Sequence, residues 1–312
     1  MLKQTTIALA ISATTALLSA CQVTDSASDA GNTSLAIQST AVKSTAPKQA
    51  FFTTGTAQTS AVEAPQASTA LSIPVVESSS EVGTLTLTKA WISLDEIEIE
   101  KEEVEGIALT EEQQNQQDEI EFDGPFFINL ITNESIPSIP SIDLLPGEYE
   151  EIELEIEVAD EENGLSIDVP ADAPELANYS LVLEGQYVGL HNGVSNQTID
   201  FKLHAAIDEE IELKADPSKG LIIDADTMNN LIIAFRLRQW FAFTNSGEFS
   251  TSALSNDGHI LLDSAVDAEN SLLKLVLENI KDSADFGEDS DDDGELSSEE
   301  DDDDDSQDEL DD

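Results

Sequence analysis

Apolar and polar residues alternate over long stretches of this chain, and the period of the alternation marks out its elements. Gly83-Thr84-Leu85-Thr86-Leu87-Thr88-Lys89 alternates strictly, as a strand with one buried face does. Leu94, Ile97 and Ile99 continue the β-prone stretch, with Glu96, Glu98 and Glu100 between them. Residues 111–117 are a polar loop, and Gly124-Pro125 turns into Phe126–Ile131, a run apolar enough to be buried on both faces. Pro146-Gly147 marks another turn, and Tyr149–Val158 follows. There Ile152, Leu154, Ile156 and Val158 fall on one side and Glu151, Glu153, Glu155 and Glu157 on the other. A helix would scatter those aliphatics; a strand gathers them. The glutamate column resembles a cation site but is expected to be a solvated outer face that discourages edge-to-edge pairing.

Further strands are expected over Tyr179–Val188, Thr198–Ala206, Glu210–Lys214 and Leu231–Phe243, with His191-Asn192-Gly193 as a hairpin turn. Asp257-Gly258 turns into Ile260-Leu261-Leu262. Short strands between turn signals, without long alternating helices, predict an all-β antiparallel sandwich. Asn270–Ser283 instead carries Leu272, Leu273, Val276 and Ile280 on one helical face, with Asn270 as the cap. Residues 83–283 are thus expected to form one domain, burying about 70% of its unfolded surface. Residues 21–82, rich in Ser, Thr, Ala and Gln, show no sustained period and read as a tether. From residue 284 the chain becomes an acidic tail with too little apolar surface to order itself.

Charge narrows the partners. Twelve Lys and Arg face 66 Asp and Glu, a net charge of -54. Such a chain repels nucleic acid and anionic lipid headgroups and attracts cations. Cys21 is the single cysteine, which excludes a disulfide framework. It ends an apolar run that begins after Met1-Leu2-Lys3, the layout of a secretory signal over residues 1–20.

The ending Leu18-Ser19-Ala20-Cys21 resembles the lipobox of bacterial lipoprotein precursors. That resemblance implies cleavage before Cys21, lipidation of its thiol and new amino terminus, and attachment to a membrane through the lipid. Gln22 stands where an Asp would resemble an inner-membrane retention signal, so the outer membrane is the expected address. The blocks Gly83–Leu87, Phe127–Leu130 and Leu145–Leu154 resemble a bacterial lipoprotein domain of unknown function, with Asn129 where that family often has Asp. This implies a prealbumin/immunoglobulin-like β-sandwich and carries over no catalytic residue.

Asp289–Glu300 resembles an EF-hand or dockerin calcium loop. Asp289, Asp291 and Asp293 fall at positions 1, 3 and 5, Gly294 at 6, Glu295 at 7 and Glu300 at 12, with Leu296 at the apolar position. The Asn270–Ser283 helix is the expected entering helix, and affinity should be weak, about 10⁻⁴ to 10⁻³ M. Enzyme motifs are missing from the sequence. His191, His204 and His259 have no metal or triad spacing, and a hydrolase would need them gathered in a pocket beside a carboxylate or serine. Arg236, Arg238 and Trp240 form a cluster able to bind a glycan or an acidic ligand, though pairing of the arginines with carboxylates is the simpler expectation. The sequence therefore predicts a non-catalytic envelope lipoprotein that binds calcium weakly, with a protein or glycan partner unspecified. An envelope hydrolase or accessory subunit is the alternative.

Overall fold

A computed structural model describes residues 31–40, 70–101, 119–140, 142–144, 147–159, 168–215, 221–223, 228–288 and 296. In chain order the elements are β1 (Gly31–Thr40), β2 (Leu71–Glu77), β3 (Ser80–Lys101), β4 (Glu119–Asn129), β5 (Glu134–Ile136), β6 (Ile142–Leu144) and β7 (Gly147–Ile156). They continue with β8 (Leu181–His191), β9 (Val194–Ala205), β10 (Glu209–Lys214), β11 (Leu221–Ile223), β12 (Met228–Arg236), α1 (Leu237–Trp240), β13 (Ala242–Phe243), β14 (Ile260–Asp263), α2 (Ser271–Lys281) and β15 (Ala284–Glu288). The fold is therefore mostly β, as expected.

Two sheets form. The smaller has the order β15-β12-β1-β6, and the larger runs β10-β7-β3-β8-β9-β14 with β2, β4, β5, β11 and β13 attached. The 22-residue β3 is the spine of the larger sheet. Register shifts between Leu87 and Lys89 and between Leu94 and Glu96 bend it, so its first half pairs with β2 and β8 and its second with β4 and β7. Side chains from both sheets, including Leu35, Ile37, Ile233 and Phe235 from the smaller and Ile92, Leu94, Ile97, Leu154 and Leu203 from the larger, join one apolar core. Most pairings are antiparallel; β1 with β12, β2 with β13 and β9 with β14 are parallel.

Several expectations need correction. The boundary at residue 83 falls inside β3, and the supposed tether contains β1 and β2. In β1, Leu35 and Ile37 are buried beside β12, an alternation too short to stand out in its polar surroundings. The Leu231–Phe243 strand breaks after Arg236 into the single turn α1, which turns Leu237 and Trp240 into the core. The tail does not begin at residue 284. β15 pairs with β12, burying Phe286 and Ala284, and Asp285 is buried against Arg236. Nor does β7 lie at an edge, because β3 and β10 flank it, so its glutamates guard no open strand. α2 matches its expected face: Leu272, Leu273, Val276 and Ile280 are buried, and the Asn270 side chain accepts hydrogen bonds from the amides of Leu272 and Leu273.

Candidate functional site

The larger sheet turns its inner face to the core and carries polar chemistry on its outer face, in three adjoining zones. The first is built by register. Across β4, β3, β7 and β10, Asp123, Glu96, Glu155 and Glu210 stand in one row. The next row is Glu121, Glu98, Glu153 and Glu212, and the third is Glu119, Glu100, Glu151 and Lys214. Ile97, Ile99, Ile152 and Leu154 fill the opposite face, fully buried. Glu96, Glu98, Glu100, Glu151, Glu153 and Glu155 are half-buried among their neighbours rather than freely solvated. Burial raises the carboxyl pKa of Glu96, Glu153 and Glu155, and the adjacent carboxylates add to it. Lys214 answers part of this charge, donating to Glu151 Oε1 and Glu212 Oε2 at 2.9 Å each, and these bonds raise its own pKa. Carboxylate oxygens of Glu151, Glu153 and Glu212, and of Asp95, Glu155 and Glu157, come within 4.8 Å of one another. The first trio already holds the Lys214 ammonium.

The second zone is a small apolar patch. Trp91, Phe127 and Val182 on the strands are covered by Ala159, Ala173 and Leu176. Pro174 opens a short 3-10 turn, Pro174–Ala177, that lays this cover down, and Lys89 on β3 pins it through Glu175 at 3.1 Å.

The third zone is a recess of about 380 Å³ over β3, β8 and β9. Its floor is Gly185, where a Cβ would lie 2.0 Å from the Thr86 carbonyl oxygen, so only glycine allows the strands this approach. Glu184 stands opposite Lys202, and its Oε1 meets Lys202 Nζ at 3.3 Å and His204 Nε2 at 3.0 Å. Asp200 accepts from the Gln186 amide at 3.0 Å and faces His259 Nε2 at 3.5 Å. Tyr179 packs its ring on His204, with centroids 5.2 Å apart, and donates its hydroxyl to Asp263 at 3.1 Å. Burial and the Asp263 carboxylate push the Tyr179 hydroxyl pKa up. Thr86 and Thr88 complete the rim.

The three histidines thus part company. His191 is buried, its Nε2 on the Ser252 carbonyl oxygen at 3.0 Å, a structural contact. His204 and His259 border the recess beside carboxylates, which is the geometry a hydrolase would need. Among the described residues neither ring has a serine or threonine hydroxyl on its other nitrogen, so the arrangement offers proton carriers without an aligned nucleophile. The Arg236–Trp240 cluster does not assemble. Trp240 is fully buried and donates its indole N–H to Ser283, Arg236 pairs with buried Asp285, and Arg238 alone is exposed. Asn129, at the position where the resembled family has Asp, accepts from the amides of Ile131 and Thr132 and closes the turn after β4.

Cys21, Asp289, Asp291, Asp293, Glu295 and Glu300 lie outside the described residues. The element that leads into the calcium-loop sequence is β15, not the expected helix: α2 ends at Lys281 and the strand intervenes. No family model, curated protein or solved structure matches the chain.

Proposed function

We propose that the protein is a non-catalytic binding module of the bacterial cell envelope, a prealbumin/immunoglobulin-like β-sandwich held at the outer membrane by lipid on Cys21. The observation that carries the address is the Leu18-Ser19-Ala20-Cys21 ending after a short apolar run and Lys3. The core shared by the two sheets supports the sandwich. No helix among the described residues is long and apolar enough to cross a membrane. Two or more acyl chains would supply stable attachment, at about 0.8 kcal/mol per buried CH₂. The test is Cys21→Ser expressed with radiolabelled palmitate. Wild type should take up label and sediment with membranes, and the variant should do neither. Equal sedimentation without label would overturn the anchor.

Weak calcium binding by Asp289–Glu300 belongs to the same reading, carried by Gly294 and Leu296 in an otherwise acidic stretch. Millimolar calcium should raise the melting temperature more than magnesium at equal ionic strength, and Asp289→Ala with Glu300→Ala should remove the difference. Equal responses to the two ions would sink it.

One observation favours a second reading, an envelope hydrolase: two histidine–carboxylate pairs around one recess. Turnover of ester or glycoside substrates that His259→Ala abolishes would establish it over the binding module.

A further inference from the structure

We infer that the recess over β3, β8 and β9 is a binding site for a neutral carbohydrate. The inference rests on reading the protein as a binding module and assigns that module a ligand class. The chain has a net charge of -54, yet Lys202 and His259 line this hollow, and His204 sits beside it on Glu184. Each carboxylate there is already matched: Glu184 by Lys202 and His204, Asp200 by His259 and the Gln186 amide. A bare cation therefore gains little by entering, because it must displace these partners. A polyanion meets two carboxylates and the field of the whole molecule.

What the recess offers is alternating acceptors and donors at short spacing. Glu184 Oε2 and Gln186 Oε1 accept, the remaining N–H groups of Lys202 donate, and the Thr86 hydroxyl does either. A hydroxyl is the ligand group that donates to a carboxylate and accepts from an ammonium at once, and a sugar ring presents several side by side. The Glu184 carboxylate, half-buried and fixed by its own ion pairs, is preorganised for it, so little side-chain entropy is lost there on binding. Gly185 deepens the floor by bringing β3 and β8 close. The glycan site that the sequence suggested at Arg236–Trp240 is thereby replaced by one on the outer face of the larger sheet.

The test uses the full chain, labelled with ¹⁵N and titrated to millimolar levels with glucose, galactose, N-acetylglucosamine, maltotriose, cellotriose and chitotriose. At least one sugar should shift the amides of Thr86, Gly185, Gln186, Lys202 and His259 saturably. Gln186→Ala, which removes a contact, and Asp200→Asn, which disturbs the partner that orients the Gln186 amide, should each weaken that binding about three- to tenfold, the worth of one neutral hydrogen bond. Both positions are exposed, so a dispersed spectrum should persist in the variants. Arg238→Ala should leave the affinity unchanged. Silence of the recess amides toward every sugar, or equal shifts produced by calcium or by a sulfated sugar, would overturn the inference while leaving the membrane anchor standing. New anomeric signals from sugar cleavage would refute the non-catalytic reading while keeping the recess as a sugar site.

Discussion

Replacing Glu77 with alanine removes a carboxylate on which a whole loop is hung. Glu77 ends β2, is only 2% exposed, and accepts four hydrogen bonds from one loop. Its Oε1 takes the amides of Phe249 at 2.6 Å and Ser250 at 2.7 Å, and its Oε2 takes the Gly247 amide at 2.7 Å and the Ser250 hydroxyl at 2.8 Å. Those donors seat Phe249, whose ring packs on Tyr187, Phe201, Phe241 and Phe243. Glu77→Ala leaves three amides without an acceptor. Each unsatisfied buried group costs about 1–3 kcal/mol, and water reaching half-buried Gly247 recovers part of it. A net loss of about 3–5 kcal/mol follows. In a domain of this size that lowers the melting temperature by about 10 °C. The effect must also depend on pH. Burial pushes the Glu77 carboxyl up, but the bonds from Ser250, Gly247 and Phe249 outweigh it and hold the group below its ordinary 4.5. A carboxylate with a depressed folded pKa contributes stability above the unfolded value and loses it as pH falls through the folded one. Calorimetry should therefore show the full gap between wild type and variant at neutral pH, and the gap should narrow as pH falls below 4.5. The Tyr187 hydroxyl, pushed up to about 12 by burial and by the Glu77 charge, should titrate lower in the variant, read by absorbance. An unchanged melting temperature at neutral pH, or a gap that does not narrow in acid, would refute this account of the carboxylate.

Two further outcomes are expected. Glu153→Gln should stabilise the protein by about 1 kcal/mol at neutral pH, because it removes like charges directly opposite in the register. Burial and neighbouring carboxylates raise the Glu153 pKa, so its ionisation opposes folding. That penalty is absent below 4.5, where the group is protonated in both states, and grows as pH rises through the raised folded value, so the gain in melting temperature should vanish in acid and shrink in high salt. Asn270→Ala should cost about 1 kcal/mol by removing the cap on two amides at the start of α2. Restoration of wild-type stability by Asn270→Ser or Asn270→Asp would separate lost capping from lost packing.

Periodicity made much of the β-structure legible. The alternations at Gly83–Lys89 and Tyr149–Ile156 gave the right faces because each stretch has only one apolar side. The recess was hidden by a single residue. An Asn192-Gly193 hairpin closing on His191 and Val194 would, if continued in register, set Glu184 opposite Phe201. The bulge between Gly189 and His191 shifts β8 by one and brings Lys202 to Glu184 instead, with His204 on the same face. A one-residue slip exchanges the two faces of a strand, and no local signal announced it. His259 reaches the site only because β14 joins β9 in parallel, a long-range pairing. Trp240 misled for a related reason. Arg236-Leu237-Arg238 alternates like a strand, but α1 rotates the chain so that the indole enters the core and finds Ser283.

β1 also changes how far the molecule can stand from its anchor. As a 62-residue tether, residues 21–82 would have let the domain roam. With β1 paired to β12 along its length and to β6 at Gly31–Thr33, ten residue steps separate Cys21 from the first described strand, at most about 35 Å of extended chain. On the proposed anchor the protein is a short-leashed surface fixture. Whatever enters the recess must come within that leash plus the breadth of the domain, and lengthening the leader between Cys21 and Gly31 would extend that reach without altering the fold.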